Sequence, residues 1–135
     1  MANSSDQIVT WCELEWDAWK ADCSGFVKAV CSQDGISLRG NANQIVDYLT
    51  GSLEWEKLGA EPGKATERAN DGKLVIGGLK HEPHGHVVIV VKSQPLNYPV
   101  GYWGRFGAVG RKKTTINWSW NRADLPKVHY FAALK

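Results

Sequence analysis

The spacing of apolar residues changes once along this 135-residue chain, at Gly72, and that change constrains the fold more than any other feature. Before it, apolar side chains recur at intervals of three and four: Ile8, Trp11, Cys12 and Trp19, then Phe26, Val27 and Val30, then Ile45, Val46 and Leu49. That is the period of amphipathic helices. After it come β-branched runs, Leu74-Val75-Ile76 and above all His86-Val87-Val88-Ile89-Val90-Val91, which read as strands. Helices first and strands after predict an α+β domain, with helices on one face of an antiparallel sheet.

Local signals set the boundaries. A helix over 5–20 is capped by Ser4 or Ser5, and a second over 22–33 is capped by Asp22 and stopped at Gly35. Asn41 or Asn43 opens a third that ends at Gly51. Residues 53–58 read as a short helical piece, and 59–72 as a polar, turn-rich stretch with one helical turn at 65–69. Strands are predicted over 73–79, 86–91, 100–106, 114–120 and 128–132. There is no repeat, linker or low-complexity segment, so residues 1–135 are expected to form a single domain, large enough for a core without staples.

Composition excludes several classes of function. Sixteen Lys and Arg against 14 Asp and Glu leave a net charge of +2, without the basic stripe of a nucleic-acid binder. The run Arg111-Lys112-Lys113 reads as a solvated turn. No apolar stretch approaches the ~18–20 residues of a membrane span, so no membrane insertion is expected. Residues 1–6 show neither the basic nor the apolar region of a secretory signal. Cys12, Cys23 and Cys31 cannot close a disulfide framework, and no Cys-x-x-Cys or zinc-finger spacing occurs. The chain reads as made in the cytoplasm, with no cofactor. Seven Trp are several times the usual share, and most are expected in the core.

Two segments can carry chemistry. If Asp22 caps the second helix, Cys23 lies in its first turn, where the helix dipole lowers a thiol pKa and favours a nucleophile. Gly25 would keep bulk low beside the sulfur. The same helix face carries Phe26, Val27 and Val30, so Cys23 also reads as a core cysteine. Cys12 and Cys31 lie deeper in helices and read as packing residues. The other segment is His84-Gly85-His86 at the head of the strongest strand, where either His could serve as the base a thiol nucleophile needs. His81, His84 and His86 also suggest a metal, but no carboxylate or Cys completes a ligand set. A Cys on a helix N-terminus followed by a His on a later strand is the order of papain-like cysteine hydrolases.

Asp22-Cys23-Ser24-Gly25-Phe26-Val27, Arg39-Gly40-Asn41-Ala42-Asn43, Leu74-Val75-Ile76-x-Gly78-Leu79-Lys80, Gly85-His86-Val87, Gly107-Ala108-Val109-Gly110 and Trp120-Asn121-Arg122 occur in order. Over residues 6–130 the chain thus resembles the type VI secretion amidase effectors, in particular the first-described Pseudomonas family. These are small NlpC-like cysteine amidases that cut peptidoglycan stem peptides. The resemblance implies a papain-like, NlpC-like fold with Cys23 as nucleophile and His86, rather than His84, as base. It implies export by the type VI apparatus without a signal peptide, action in the recipient's periplasm, and a cognate periplasmic immunity protein that plugs the cleft. It favours the γ-D-glutamyl–diaminopimelate amide over the D-alanine–diaminopimelate cross-bridge.

The chain departs from that pattern in two ways. The strand after the His, Gly101-Tyr102-Trp103-Gly104, offers no polar third residue to orient the imidazole, leaving a backbone carbonyl or a bare dyad. Of the cysteines that a family member uses in a disulfide only Cys12 is kept, so stability is expected to rest on packing. Ser24 is a weak substrate-binding candidate. Tyr102 and Trp103 belong either to the cleft wall or to the core. Arg39, Asn41 and Asn43 could shape the groove, the two Asn more simply as helix caps. Two other classes fit the residues: a transglutaminase-type acyltransferase using the same Cys–His pair, and a non-catalytic cell-wall binding module with Trp as its platform.

Overall fold

The computed structural model describes residues 4–134. Three helices come first: α1 (Ser5–Trp19), α2 (Cys23–Gln33) and α3 (Ala42–Gly51). Each is capped by its own preceding side chain. Ser4 accepts from the Gln7 N–H, Asp22 from that of Gly25, and Asn41 from that of Gln44. Gln44 returns the bond to the Asn41 N–H, completing a capping box. Asn41, not Asn43, therefore opens α3. Gly35, at φ 72°, occupies the left-handed position beyond α2 that a side chain would strain.

The rest of the chain is β1 (Trp55–Gly59), α4 (Pro62–Asn70), β2 (Val75–Leu79), β3 (His86–Val91), β4 (Val100–Trp103), β5 (Arg111–Thr115) and β6 (His129–Ala133). The strands form one antiparallel sheet in the order β1-β6-β2-β3-β4-β5. Residues Val87 to Val91 are buried on both faces, each aliphatic side chain contributing about 1.5–3 kcal/mol by leaving water. That double burial is why β3 reads as an unbroken apolar run.

The α+β class and the antiparallel sheet agree with the sequence pattern, but the helices occupy both faces. α1, α2 and α3 pack over Ile76, Val87, Ile89, Val91 and Phe131. The other face, Val75, Val88, Val90 and Tyr130, is covered by Ala65 and Ala69 of α4 and by Ile116. The stretch expected to hold one helical turn is thus a nine-residue helix, started by Pro62.

Further expectations are corrected. Residues 53–58 are not helical, because 55–59 pair with β6 as the edge strand. The predicted strand over 114–120 lies earlier: Arg111-Lys112-Lys113 is exposed but is strand rather than turn, and Ile116–Trp118 is a 3-10 turn. Of the seven Trp, only Trp55 and Trp103 are buried; Trp19 and Trp118 are exposed. Trp11, Trp16 and Trp120 pack partly against the two clusters.

Candidate active site

Cys23 is the first residue of α2, at the end of the helix that lies against β3. The Asp22 cap accepts from both the Gly25 N–H (3.0 Å) and the Ser24 hydroxyl (3.1 Å). Gly25 has a different purpose from the one the sequence suggested. A Cβ there would meet the Trp19 ring at 2.4 Å, so its bareness makes room for that indole rather than for a group beside the sulfur. The turn between α1 and α2 is pinned by the β4–β5 connection, where the N–H groups of Arg105 and Gly110 both donate to the Lys20 carbonyl. A Cβ at Gly104 would strike the carbonyls of Trp19 and Asp22 at 2.2 and 2.5 Å. Only glycine permits this backbone-on-backbone seat.

His86 opens β3 opposite Leu79 of β2. It shares alternation with Val88 and Val90, members of the second core cluster, and Trp120 of that cluster stands edge-on to its ring at 5.1 Å. The loop before it is held to α3 by Asn43, whose side chain donates to the His81 carbonyl and accepts from the His81 N–H. Gly85 is required there, since a Cβ would overlap Asn43 Oδ1 at 2.2 Å.

The two segments meet at one cavity of about 390 Å³, lined by Cys23, His86, Arg105, Ser119 and Trp120 among others. A second hollow of about 410 Å³ also reaches Cys23 and is lined by Ser24, Asn41, Asn43, His84 and Phe106. Cys23, His84, Gly85 and Phe106 belong to both hollows, so they form one cleft across the thiol. The exposed rings of His84 and Phe106 pack 5.0 Å apart at its edge.

Burial raises the Cys23 thiol pKa, and the Asp22 charge adds to the rise. The N–H groups of Val87, Ser24 and Cys23 pull the other way without reversing it. The expected depression by the helix start is therefore outweighed by desolvation. His86 is pushed down to about 3, first by burial and then by the Arg105 charge. Both groups are thus held neutral near pH 7.

This has a consequence for stability. An unfolded His titrates near 6.5, so between about pH 6.5 and 3 the unfolded chain binds a proton that the folded chain refuses. Stability is complete above that window and falls with pH inside it. Urea midpoints measured from pH 7 to pH 4 should drop more steeply for the wild type than for His86→Gln. Glu13 and Glu56, held low by their bonds to Tyr102 and Arg68, add the same acid loss to both proteins. Parallel curves would refute the penalty on His86.

One polar contact on His86 was not legible in the sequence. Its Nε2 lies 2.5 Å from Ser119 Oγ. Ser119 is buried, its N–H donates to the Ile116 carbonyl, and its own carbonyl accepts from Arg105. It comes from beyond β5, not from the strand beside His86. Its only sequence signal was its place immediately before Trp120-Asn121-Arg122.

The remaining candidates divide. Ser24 lines the cleft. Tyr102 and Trp103 do not: each is 1% exposed, Tyr102 among the helices with its hydroxyl donating to Glu13, and Trp103 on the opposite face. Asn41 and Asn43 both line the cleft while serving the cap and the loop, and Arg39 is exposed and lines neither hollow. Cys12 and Cys31 are fully buried thiols, their pKa values raised by desolvation. All three cysteines are free. Among the described residues, no group of three or more His, Cys, Asp and Glu is gathered as a metal ligand set, and no helix is long and apolar enough to cross a membrane.

The model of the NlpC/P60 family matches residues 12–101, a stretch that contains both Cys23 and His86. The chain belongs to the NlpC/P60 family. This NlpC/P60 chain is also similar to the peptidoglycan amidase Tse1 of Pseudomonas aeruginosa, with 40% identity over 144 aligned residues, covering 96% of this chain and 91% of that relative. Ser119 and Trp120 of this NlpC/P60 chain lie beyond the segment matched by the family model.

Proposed function

We propose that the protein is a cysteine amidase that hydrolyses peptidoglycan stem peptides, with Cys23 as nucleophile and His86 as general base. The observation that carries this reading is the convergence of the α2 N-terminus and the head of β3 on one open cleft. The similarity to a peptidoglycan amidase supports the substrate class. In the neutral resting pair, Ser119 Oγ accepts from His86 Nε2–H, leaving Nδ1 free to take the Cys23 proton as the sulfur attacks the amide carbonyl. The N–H groups of Cys23 and Ser24 at the helix start offer the developing oxyanion its donors. His86 then returns the proton to the leaving amine, and water releases the thioester. Arg105 and Ser24 supply polar contacts for the substrate's charged groups.

Ser119 is then a positioning residue. Ser119→Ala should lower kcat roughly 10–100-fold, on the scale of lost orienting contacts, and should move the acid limb of the pH–rate profile. A fall in activity with an unmoved limb would mean a packing role alone.

The bond favoured is the γ-D-glutamyl–diaminopimelate amide. Mass spectrometry after digestion of cross-linked tetrapeptide dimers tests it: shortened stems with intact cross-bridges support it, while two tetrapeptide monomers would assign the cross-bridge instead. Amine-linked rather than hydrolysed product would indicate an acyltransferase, and binding without turnover a cell-wall module. The biological setting that fits is an antibacterial effector delivered by a type VI apparatus into a neighbour's periplasm, with a periplasmic immunity protein occluding this cleft in the producer.

A further inference from the structure

A cavity of about 540 Å³ is separate from the cleft that holds Cys23. It lies beside it, and Trp120 lines both. A single segment forms the partition: Ser119, Asn121 and Asp124 face the cleft, while Asn117, Arg122 and Leu125 face the second cavity. The Asn121 side chain and carbonyl hold that partition by accepting from the N–H groups of Asp124 and Leu125.

The lining of the second cavity has a consistent chemistry. Tyr98, Trp120 and Tyr130 give it aromatic surface, with Pro62, Leu125 and Val128 between them. Asn97, Asn117 and Arg122 add amides and a guanidinium, and no carboxylate lines it. Tyr130 is 2% exposed, yet among the described residues nothing hydrogen-bonds its hydroxyl. Aromatic rings paired with uncommitted amide and hydroxyl groups suit a ligand with apolar CH faces and a periphery of hydroxyl and acetamido groups. A saccharide is such a ligand.

From this we infer that the cavity is a subsite for the amino-sugar disaccharide that carries the stem peptide. The inference rests on the amidase reading above. If the γ-D-glutamyl amide is cut, two residues and a lactyl bridge separate the scissile carbonyl from the sugar, a span of about 10 Å at ~3.5 Å per residue. The second cavity shares the Trp120 indole with the cleft, so a sugar on that side of the stem would be seated in it. The sugar stays on the acyl-enzyme while the diaminopimelate side departs, so the subsite holds the half of the substrate that must wait for water.

The test compares the disaccharide tetrapeptide with the same tetrapeptide lacking its sugars. The wild type should show kcat/KM roughly tenfold higher for the sugar-bearing substrate, the worth of one or two hydrogen bonds. Tyr98→Ala and Asn117→Ala should bring that ratio close to one while leaving turnover of the sugar-free tetrapeptide unchanged. A wild-type ratio of one, or variants that lower both substrates alike, overturns the subsite. If the wild type hydrolyses neither substrate, the amidase reading fails on its own. Titration with the free disaccharide, read at the Trp120 indole N–H by NMR, then decides the subsite separately. A shift lost in Asn117→Ala upholds it, and no shift overturns it.

Discussion

Cys23→Ala should leave no measurable hydrolysis of muropeptides, a loss of at least ~10⁴-fold, as expected when a nucleophile is removed. The substitution deletes one sulfur from a residue that lines the cleft, so the fold should survive. Cys12→Ala and Cys31→Ala should behave in the opposite way. Both thiols are fully buried among α1 and α2, and each truncation should cost stability on the order of 1 kcal/mol through lost packing while turnover per folded molecule is kept. In cells, export of the wild type to the periplasm should cause lysis, and Cys23→Ala should not. Hydrolysis by Cys23→Ala at the wild-type rate would end the cysteine-hydrolase reading.

His86→Ala should be as damaging as Cys23→Ala, because residues that act as a unit lose nearly everything when either is removed. His84→Ala should cost far less. His84 is exposed, stacks only on exposed Phe106 and makes no hydrogen bond with the described residues, whereas His86 is held by Ser119 and Trp120. The measurement is kcat for muropeptide hydrolysis at pH 7, with circular dichroism to establish folding. An inactive His84→Ala beside an active His86→Ala would exchange the two assignments.

The contrast between these histidines shows how far the sequence could go. Spacing alone left His84 and His86 equivalent, since both share one face if the strand begins early. Pairing of His86 with Leu79 starts β3 at His86 and leaves His84 in the loop. Asn43 and Gly85 set that start point through contacts 38 and more residues apart in the chain, which no local pattern encodes.

Local chemistry wrote much of the rest. Ser4, Asp22 and Asn41 act as caps because a short polar side chain satisfies N–H groups in its own first turn. Val87 to Val91 can only be a central strand, and Cys23 follows its cap by one residue. These features need no distant partner, so the first three helices, β3 and the thiol position were readable directly. The edge strand Trp55–Gly59 was not, because its pairing with β6 exists only once the C-terminus has returned across the sheet. The same holds for Tyr102 and Trp103, whose burial depends on which helix covers each face.

The ionisation of the site was decided entirely by tertiary structure. A helix N-terminus beside a thiol argued for a depressed pKa, but desolvation is a property of everything packed around the group, and it prevails at both Cys23 and His86. Ser119 belongs to the same category: it reaches His86 from 33 residues away through a 3-10 turn. Sequence by itself determined the place of the Cys23 thiol at the head of α2, the central strand and the class of fold, because those depend on periodicity and caps within one turn or strand. Only the folded chain decided the partner of His86, the resting protonation and the second cavity across Trp120, because each is made by surfaces that sequence order keeps apart.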